Sequence, residues 1–357
     1  MVFTSNCDCI SPCLDPHFIH FFNELEILVS LSVGIVVAAS TQFLVQLPGL
    51  RGVRLRWCLN WRHPVVRRIL ALYAPVVLSI VIQNIGIVID RNLASRTVPE
   101  AITWMTKATF LIQLPLGLVS MAISLAVLPT LSQIDARQML EPFKRTFSRC
   151  LRLVLVMILP AAVALLILGQ PLIALIFQRG AFTAADSLET WRALRVYLIG
   201  LPFAAIDLPL IFAFYAQKDT VTPVVVGIIA VALYLVVGPT LAFALGWGFI
   251  GLVAANSVQL AGHAVIMLCL FQRRFGPLRG YGLWSTIAKA LAACLPAAAL
   301  AYGAVLLLPG RIPAGTLGQA LLLAVGGGLG ALGYLAAARL LRLEELAQLA
   351  AALARRR

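Results

Sequence analysis

A chain of 357 residues that is 61% hydrophobic and only 12% charged, with a mean hydropathy of +0.96, is not an ordinary soluble domain, which is nearer half apolar and a quarter charged. A bilayer is crossed by ~20 apolar residues, so this length allows about nine spanning helices with short loops and leaves no room for a soluble enzyme domain. The net charge of +14 falls between apolar runs and lacks any nucleic-acid module, so it is read as setting orientation and meeting anionic headgroups rather than nucleic acid.

Residues 1–26, MVFTSNCDCISPCLDPHFIHFFNELE, are polar and lack the basic stretch and apolar core of a secretory signal peptide. Cys7, Cys9 and Cys13 cluster there ahead of His17 and His20. Cys-x-Cys-x₃-Cys is not a familiar zinc spacing, so the segment reads as an irregular leader with incidental cysteines. Cys58, Cys150, Cys269 and Cys294 lie in or beside apolar runs, where a free thiol behaves as a small hydrophobe. Neither a disulfide framework nor a cofactor is expected.

The first span is expected over Ile27–Leu47. Arg51, Arg54, Arg56, Arg62, Arg67 and Arg68 follow, which places that loop in the cytoplasm under the positive-inside rule. Ile69–Leu93 carries Ser79, Gln83 and Asp90 at helical spacing, a polar stripe on a spanning helix. Asp90-Arg91 reads either as an interfacial ion pair that ends the helix or as part of a solute route. Trp104–Ser132 is long and apolar, yet Thr106, Thr109, Gln113, Gly117, Ser120 and Ser124 form a stripe along it. Lipid cannot satisfy such groups, so the stripe is expected to face a protein interior or a wet cavity.

The basic loop that follows carries Phe143, Phe147 and Leu151 at i, i+4, i+8, which suggests a short amphipathic helix on the membrane surface. Leu153–Phe177 is the fourth span and an outer segment leads to the fifth, Val196–Tyr215. There Asp207 stands between Pro202 and Pro209, either on a solute route or hydrogen-bonded to a neighbouring helix. After the short polar loop AQKDTVTP comes Val224–Leu245, then Phe249–Phe271 with a third stripe of Asn256, Gln259 and His263. His263 reads first as a satisfied bundle histidine and second as a proton relay. Leu283–Leu308 and Leu317–Ala338 complete the spans, the last with Gly326-x₃-Gly330, a spacing that permits close helix approach. The basic tail suits the inner surface. Alternation of basic loops predicts a cytoplasmic C-terminus and, across an odd number of spans, an outside N-terminus.

No P-loop, nucleophile motif, zinc motif, paired carboxylates or Asp-rich diphosphate cluster appears, so an enzyme is not expected. Polar stripes on several helices facing one interior are how transporters build a central pathway.

The stretch QLPLGLVSMAISLAVLPTLS resembles the lipid II flippase (MurJ/MviN-like) family of the multidrug/oligosaccharidyl-lipid/polysaccharide exporter superfamily. VQLPGLRG at 45–52, APVVLSIVIQNIGIVIDRNLAS at 74–95, LRLVLVMILPAAVALLIL at 151–168, FQRGAFTAADS at 177–187 and FYAQKDTVTPV at 214–224 carry the likeness in order. The resemblance implies an all-α polytopic integral membrane protein corresponding to the C-terminal lobe plus two added helices of a two-lobe transporter. On it, residues 1–26 are a leader and a substitute start on a truncated frame. Residues 27–271 are the last helix of the first lobe followed by the six-helix second lobe. Residues 272–341 are two added helices forming a lipid-tail groove, and 342–357 are a basic cytoplasmic tail.

The implied activity is translocation of undecaprenyl-diphosphate-linked peptidoglycan precursor, lipid II, across the bacterial cytoplasmic membrane by alternating access for cell-wall synthesis. Membrane lipids surround the chain, and Lys107, Gln113, Asp90, Gln83, Asp207, Asn256 and His263 line the path. Phe110 and Gln113 stand where the family often has an Arg and a Glu. Two other readings stay open: a non-transporting lobe that needs a first-lobe fragment as partner, and an exporter of another lipid-linked or amphipathic solute.

Overall fold

The computed structural model describes residues 16–50, 63–308, 313 and 315–346. The Cys7, Cys9 and Cys13 cluster, most of the first arginine-rich loop and the end of the tail lie outside the described residues. Among the described residues all regular structure is helical.

The first unit holds α1, Pro16–Gln46, and a 3₁₀ turn at Leu47–Leu50. The helix begins within the expected irregular leader, and its strongly apolar part is the shorter Ser32–Gln46. From Pro64 onward the second unit contains eight helices long and apolar enough to cross a membrane. These are α2 (Pro64–Ser95), α3 (Ala101–Pro115) continuing into α4 (Ala122–Gln133), α5 (Leu140–Phe177), α6 (Ala184–Ala216), α7 (Val221–Pro239), α8 (Phe249–Phe275), α9 (Leu283–Leu307) and α10 (Thr316–Leu340).

Two of these helices change winding directly after a proline. A π-helical turn at Leu116–Met121 follows Pro115 and joins α3 to α4, and another at Thr240–Ala244 follows Pro239 and extends α7. Proline has no N–H to give the preceding turn, and widening to π geometry lets the helix run on past the defect.

The surface helix expected from Phe143, Phe147 and Leu151 is instead the start of α5, which runs unbroken for 38 residues. That is about 57 Å of helix, longer than the ~30 Å hydrocarbon core. Phe143 and Phe147 are fully buried, packed with Phe214, Phe271 and Phe275; the rings of Phe147 and Phe271 stack at 4.3 Å. The apolar stripe was covered by protein, not by lipid. At the other end α6 begins at Ala184, inside the expected outer segment. Thr183 and Asp186 form a reciprocal capping box there, which satisfies N–H groups that would otherwise be orphaned.

The centre of the unit is α5, α6 and α8, with Val154, Ile158, Leu194, Leu201 and Leu252 fully buried. In lipid, packing rather than the hydrophobic effect joins helices, so small residues set their spacing. A Cβ on Gly200 would come within 3.0 Å of the Ser257 backbone, and this closeness lets Ser257 Oγ donate to the Val196 carbonyl at 2.9 Å. The α9–α10 pair packs on α5 through Ala290, Ala293 and Ala297. A Cβ on Gly330 would lie 3.3 Å from Ala301, and one on Gly333 would lie 2.7 Å from Leu300. The tail beyond α10 begins by docking rather than by lying on a surface. Leu343 and Glu345 are buried; Glu345 pairs with Arg152 of α5 at 3.3 Å and accepts from Thr286 of α9 at 3.1 Å.

Candidate functional site

Polar side chains of α2, α3, α6, α7 and α8 converge on three neighbouring clefts that share lining residues. One, of about 330 Å³, is lined by Asp90, Arg91, Thr106, Gln113, Tyr197 and Asn256 among others. A second, of about 220 Å³, shares Ile87, Asp90 and Asn256 with it and adds Gln83, Tyr234 and Gln259. A third, of about 60 Å³, shares Gln83 and adds Ser79, Tyr215, Gly227 and His263. The stripes of α2 and α8 thus contribute to the same set of clefts, whose linings mix polar and apolar side chains.

Asp90 does not end its helix, which runs on to Ser95. Its carboxylate is turned to α7, where it accepts a hydrogen bond from the Tyr234 hydroxyl. A carboxylate taken out of water needs such a donor, because burial without one costs several kcal/mol. Asp207 and His263, 56 residues apart, are partners: Asp207 Oδ1 and His263 Nδ1 lie 2.7 Å apart, with side chains 14% and 12% exposed. The partner that neither residue's sequence neighbourhood reveals is the other member of the set.

The stripe along Trp104–Ser132 divides. Thr106, Thr109 and Gln113 line the largest of these clefts. Ser120 and Ser124 are buried, with Ser120 Oγ donating to the Ala205 carbonyl of α6 at 2.5 Å and Ser124 Oγ to the Ser120 carbonyl at 2.6 Å. A π turn inserts one residue, which rotates everything beyond it by ~100° relative to a regular helix. The one face expected from sequence is therefore two, one wet and one packed.

Lys107 is not brought to the clefts. Its Nζ sits 4.9 Å from the centre of the Phe177 ring, a cation–π contact. Phe110 meets the same ring edge-on at 6.3 Å while also lining the cleft. Of the seven expected path residues, Gln83, Asp90, Gln113, Asn256 and His263 line these clefts, Asp207 reaches them through His263, and Lys107 stands apart.

Tyr197 and Tyr234 went unread in the sequence because a tyrosine in an apolar span looks like filler. Its hydroxyl was the available signal, since a buried one requires a partner. The loop after α6 was also read too simply. Gln217 accepts from the Ala136 N–H at 3.2 Å and donates to the carbonyls of Ile134 at 2.9 Å and Leu131 at 3.3 Å, tying the α4–α5 loop to α6. Asp219 pairs with Arg274. Burial pushes its carboxyl up, but hydrogen bonds from the Thr222 N–H and hydroxyl and from the Arg274 guanidinium outweigh that and hold it below the usual range.

Comparison with known proteins adds identity to this geometry. The family model described as "Lipid II flippase MurJ" matches residues 17–326. A probable lipid II flippase MurJ of Vibrio cholerae is 32% identical over 65% of this chain and 44% of its own length. One from Rhizobium tropici is 30% identical over 79% of this chain and 52% of its own. A solved structure of lipid II flippase MurJ in an inward closed conformation superposes with a TM-score of 0.61 at 22% identity, covering 83% of this chain and 58% of that one; this likeness bears on the fold. The chain spans about half the length of the curated relatives it matches.

Proposed function

This chain belongs to the lipid II flippase MurJ family, and from that membership we propose that it forms the second lobe of a transporter that carries lipid II across the bacterial cytoplasmic membrane. It is a multi-pass protein of that membrane. The observation that carries the proposal is the set of clefts bearing polar side chains within an otherwise apolar bundle. Gln83, Asp90, Gln113 and Asn256 come from three helices to one cleft system, where a glycan or diphosphate headgroup could exchange water for fixed donors and acceptors while its tail stays in lipid. Transport by rocking of one lobe against another needs no reacting atoms.

The loops bearing Arg137, Lys218 and Arg279 lie on the cytoplasmic side in this proposal, and the C-terminus with them, by the positive-inside rule. The α9–α10 pair holds the lipid tail along exposed Leu295, Tyr302 and Leu306 of α9.

The clefts are open on one side: Gln83, Arg91, Thr106 and Gln113 are exposed. That favours a second reading, in which the lobe transports only when a first lobe covers this side. Cells depleted of their own flippase test both. Rescue by this chain alone supports a self-sufficient transporter; rescue only with a separately expressed first-lobe fragment supports the second reading. Failure of both, with the chain present in the membrane, overturns the transport proposal.

A further inference from the structure

The Asp207–His263 pair is not accounted for by solute passage. It lies off the two larger clefts, between α6 and α8, and its side chains are nearly sealed, at 14% and 12% exposure. His263 Nδ1 is held by Asp207 at 2.7 Å. The second ring nitrogen, Nε2, is directed toward Gly227, where an added Cβ would be 3.9 Å away. It faces the cavity of about 60 Å³, room for a few water molecules. Gln83 forms a wall of that cavity and also of the cleft that holds Asp90, Asn256 and Gln259.

We propose that the Asp207–His263 pair is a proton-binding site served from the central cleft through Gln83, and that its loading and unloading accompany movement of α2 against α8. A lone carboxylate at this depth is uncompensated, whereas a carboxylate beside an imidazolium is neutral as a pair. Loading adds one proton to Nε2 and makes His263 a cation. Unloading returns that proton to water in the small cavity, while Nδ1–H stays donated to Asp207. Gln83 and Ser79 of α2 line that cavity, so displacement of α2 would open or shut the way. The groups around the imidazole are few. α6 presents Asp207 and Tyr215, whereas α2 and α7 present no titratable side chain among the described residues lining the cavity. The inference rests on the transporter reading only for what the proton drives.

The test is a pH titration, by NMR, of the full chain labelled at histidine nitrogens in lipid nanodiscs, with His263→Gln assigning the signal. Across the titrated pH range His263 should gain and lose one proton at Nε2. Asp207→Asn should lose the charged form over that range, Asp207→Glu should retain it, and Gln83→Leu should slow exchange of the Nε2 proton several-fold. A wild-type His263 that stays neutral throughout, or an Asp207→Asn protein that titrates like wild type, overturns the site. The titration needs no transport, so a site that titrates in a chain that never rescues growth would sink the flippase reading alone. A rescuing system whose lipid II export ignores an imposed pH gradient, with His263 titrating, overturns the coupling.

Discussion

The clefted side of the molecule and the seam of α5, α9 and α10 are built from the same apolar stock yet solve opposite problems. Along the seam, alanines and glycines bring the helices into close approach, and at its edge Glu345 pairs with Arg152 and accepts from Thr286. On the clefted side, α2 meets its neighbours loosely, and Asp90, Gln83, Gln113 and Asn256 line open space. Bundles in lipid gain from every close approach, so leaving polar space open costs stability that the seam must supply. The contrast separates the seam that packs most tightly from the clefted side to which transport is assigned in our proposal.

Substitutions on the two sides should therefore separate stability from transport. Glu345→Ala strips Arg152 of its carboxylate and should cost the most, about 3 kcal/mol, seen as a lower thermal midpoint of the purified protein. Gly333→Leu forces α10 off Leu300 and the α9 backbone and should cost about 2 kcal/mol by overpacking, by the same measurement. Asp90→Asn keeps an acceptor for Tyr234 but removes the charge. It should leave stability within about 1 kcal/mol of wild type and abolish rescue of flippase-depleted cells. A thermal loss as large as that of Gly333→Leu would instead make Asp90 part of the scaffold.

The smallest expected effect is in acid. The folded-state value of Asp219 is held down by Thr222 and Arg274, so its contribution is present above the ordinary carboxylate value of about 3.9. It is lost as pH falls through the lower folded value. Asp219→Asn should be less stable at neutral pH and should lack that step in an acid unfolding curve. An unchanged curve would show that the Arg274 contact contributes nothing.

Much of this was legible from hydropathy alone. The apolar runs from 69 onward each fall on a helix, because a bilayer demands length and apolarity that composition cannot disguise. Boundaries were less legible. The span expected from Leu153 is the second half of α5, since Phe143 and Phe147 read as lipid-facing until the rings of α6 and α8 are seen to cover them. Periodicity expected Ser120 and Ser124 in a protein interior or a wet cavity, and they are buried in protein; the split of the stripe into two faces was not legible, because it follows from the π turn after Pro115. The polar stripes identified Asp207 and His263 separately. Their pairing depends on how α6 crosses α8 at Gly200 and Ser257, which is a tertiary fact. Lys107 was read by charge alone and is claimed by Phe177.

The central claim, that these clefts are a route for lipid II, is tested most directly by the appearance of lipid II on the outer face of the membrane. Flippase-depleted cells would carry this chain with a first-lobe fragment, and a probe that cannot cross the membrane would report the exposed lipid. Lipid II should appear outside with the wild-type chain, more slowly with Gln113→Ala, and not at all with Asp90→Asn, all three at equal abundance. Equal export by the three chains would show that lipid II does not pass along these side chains.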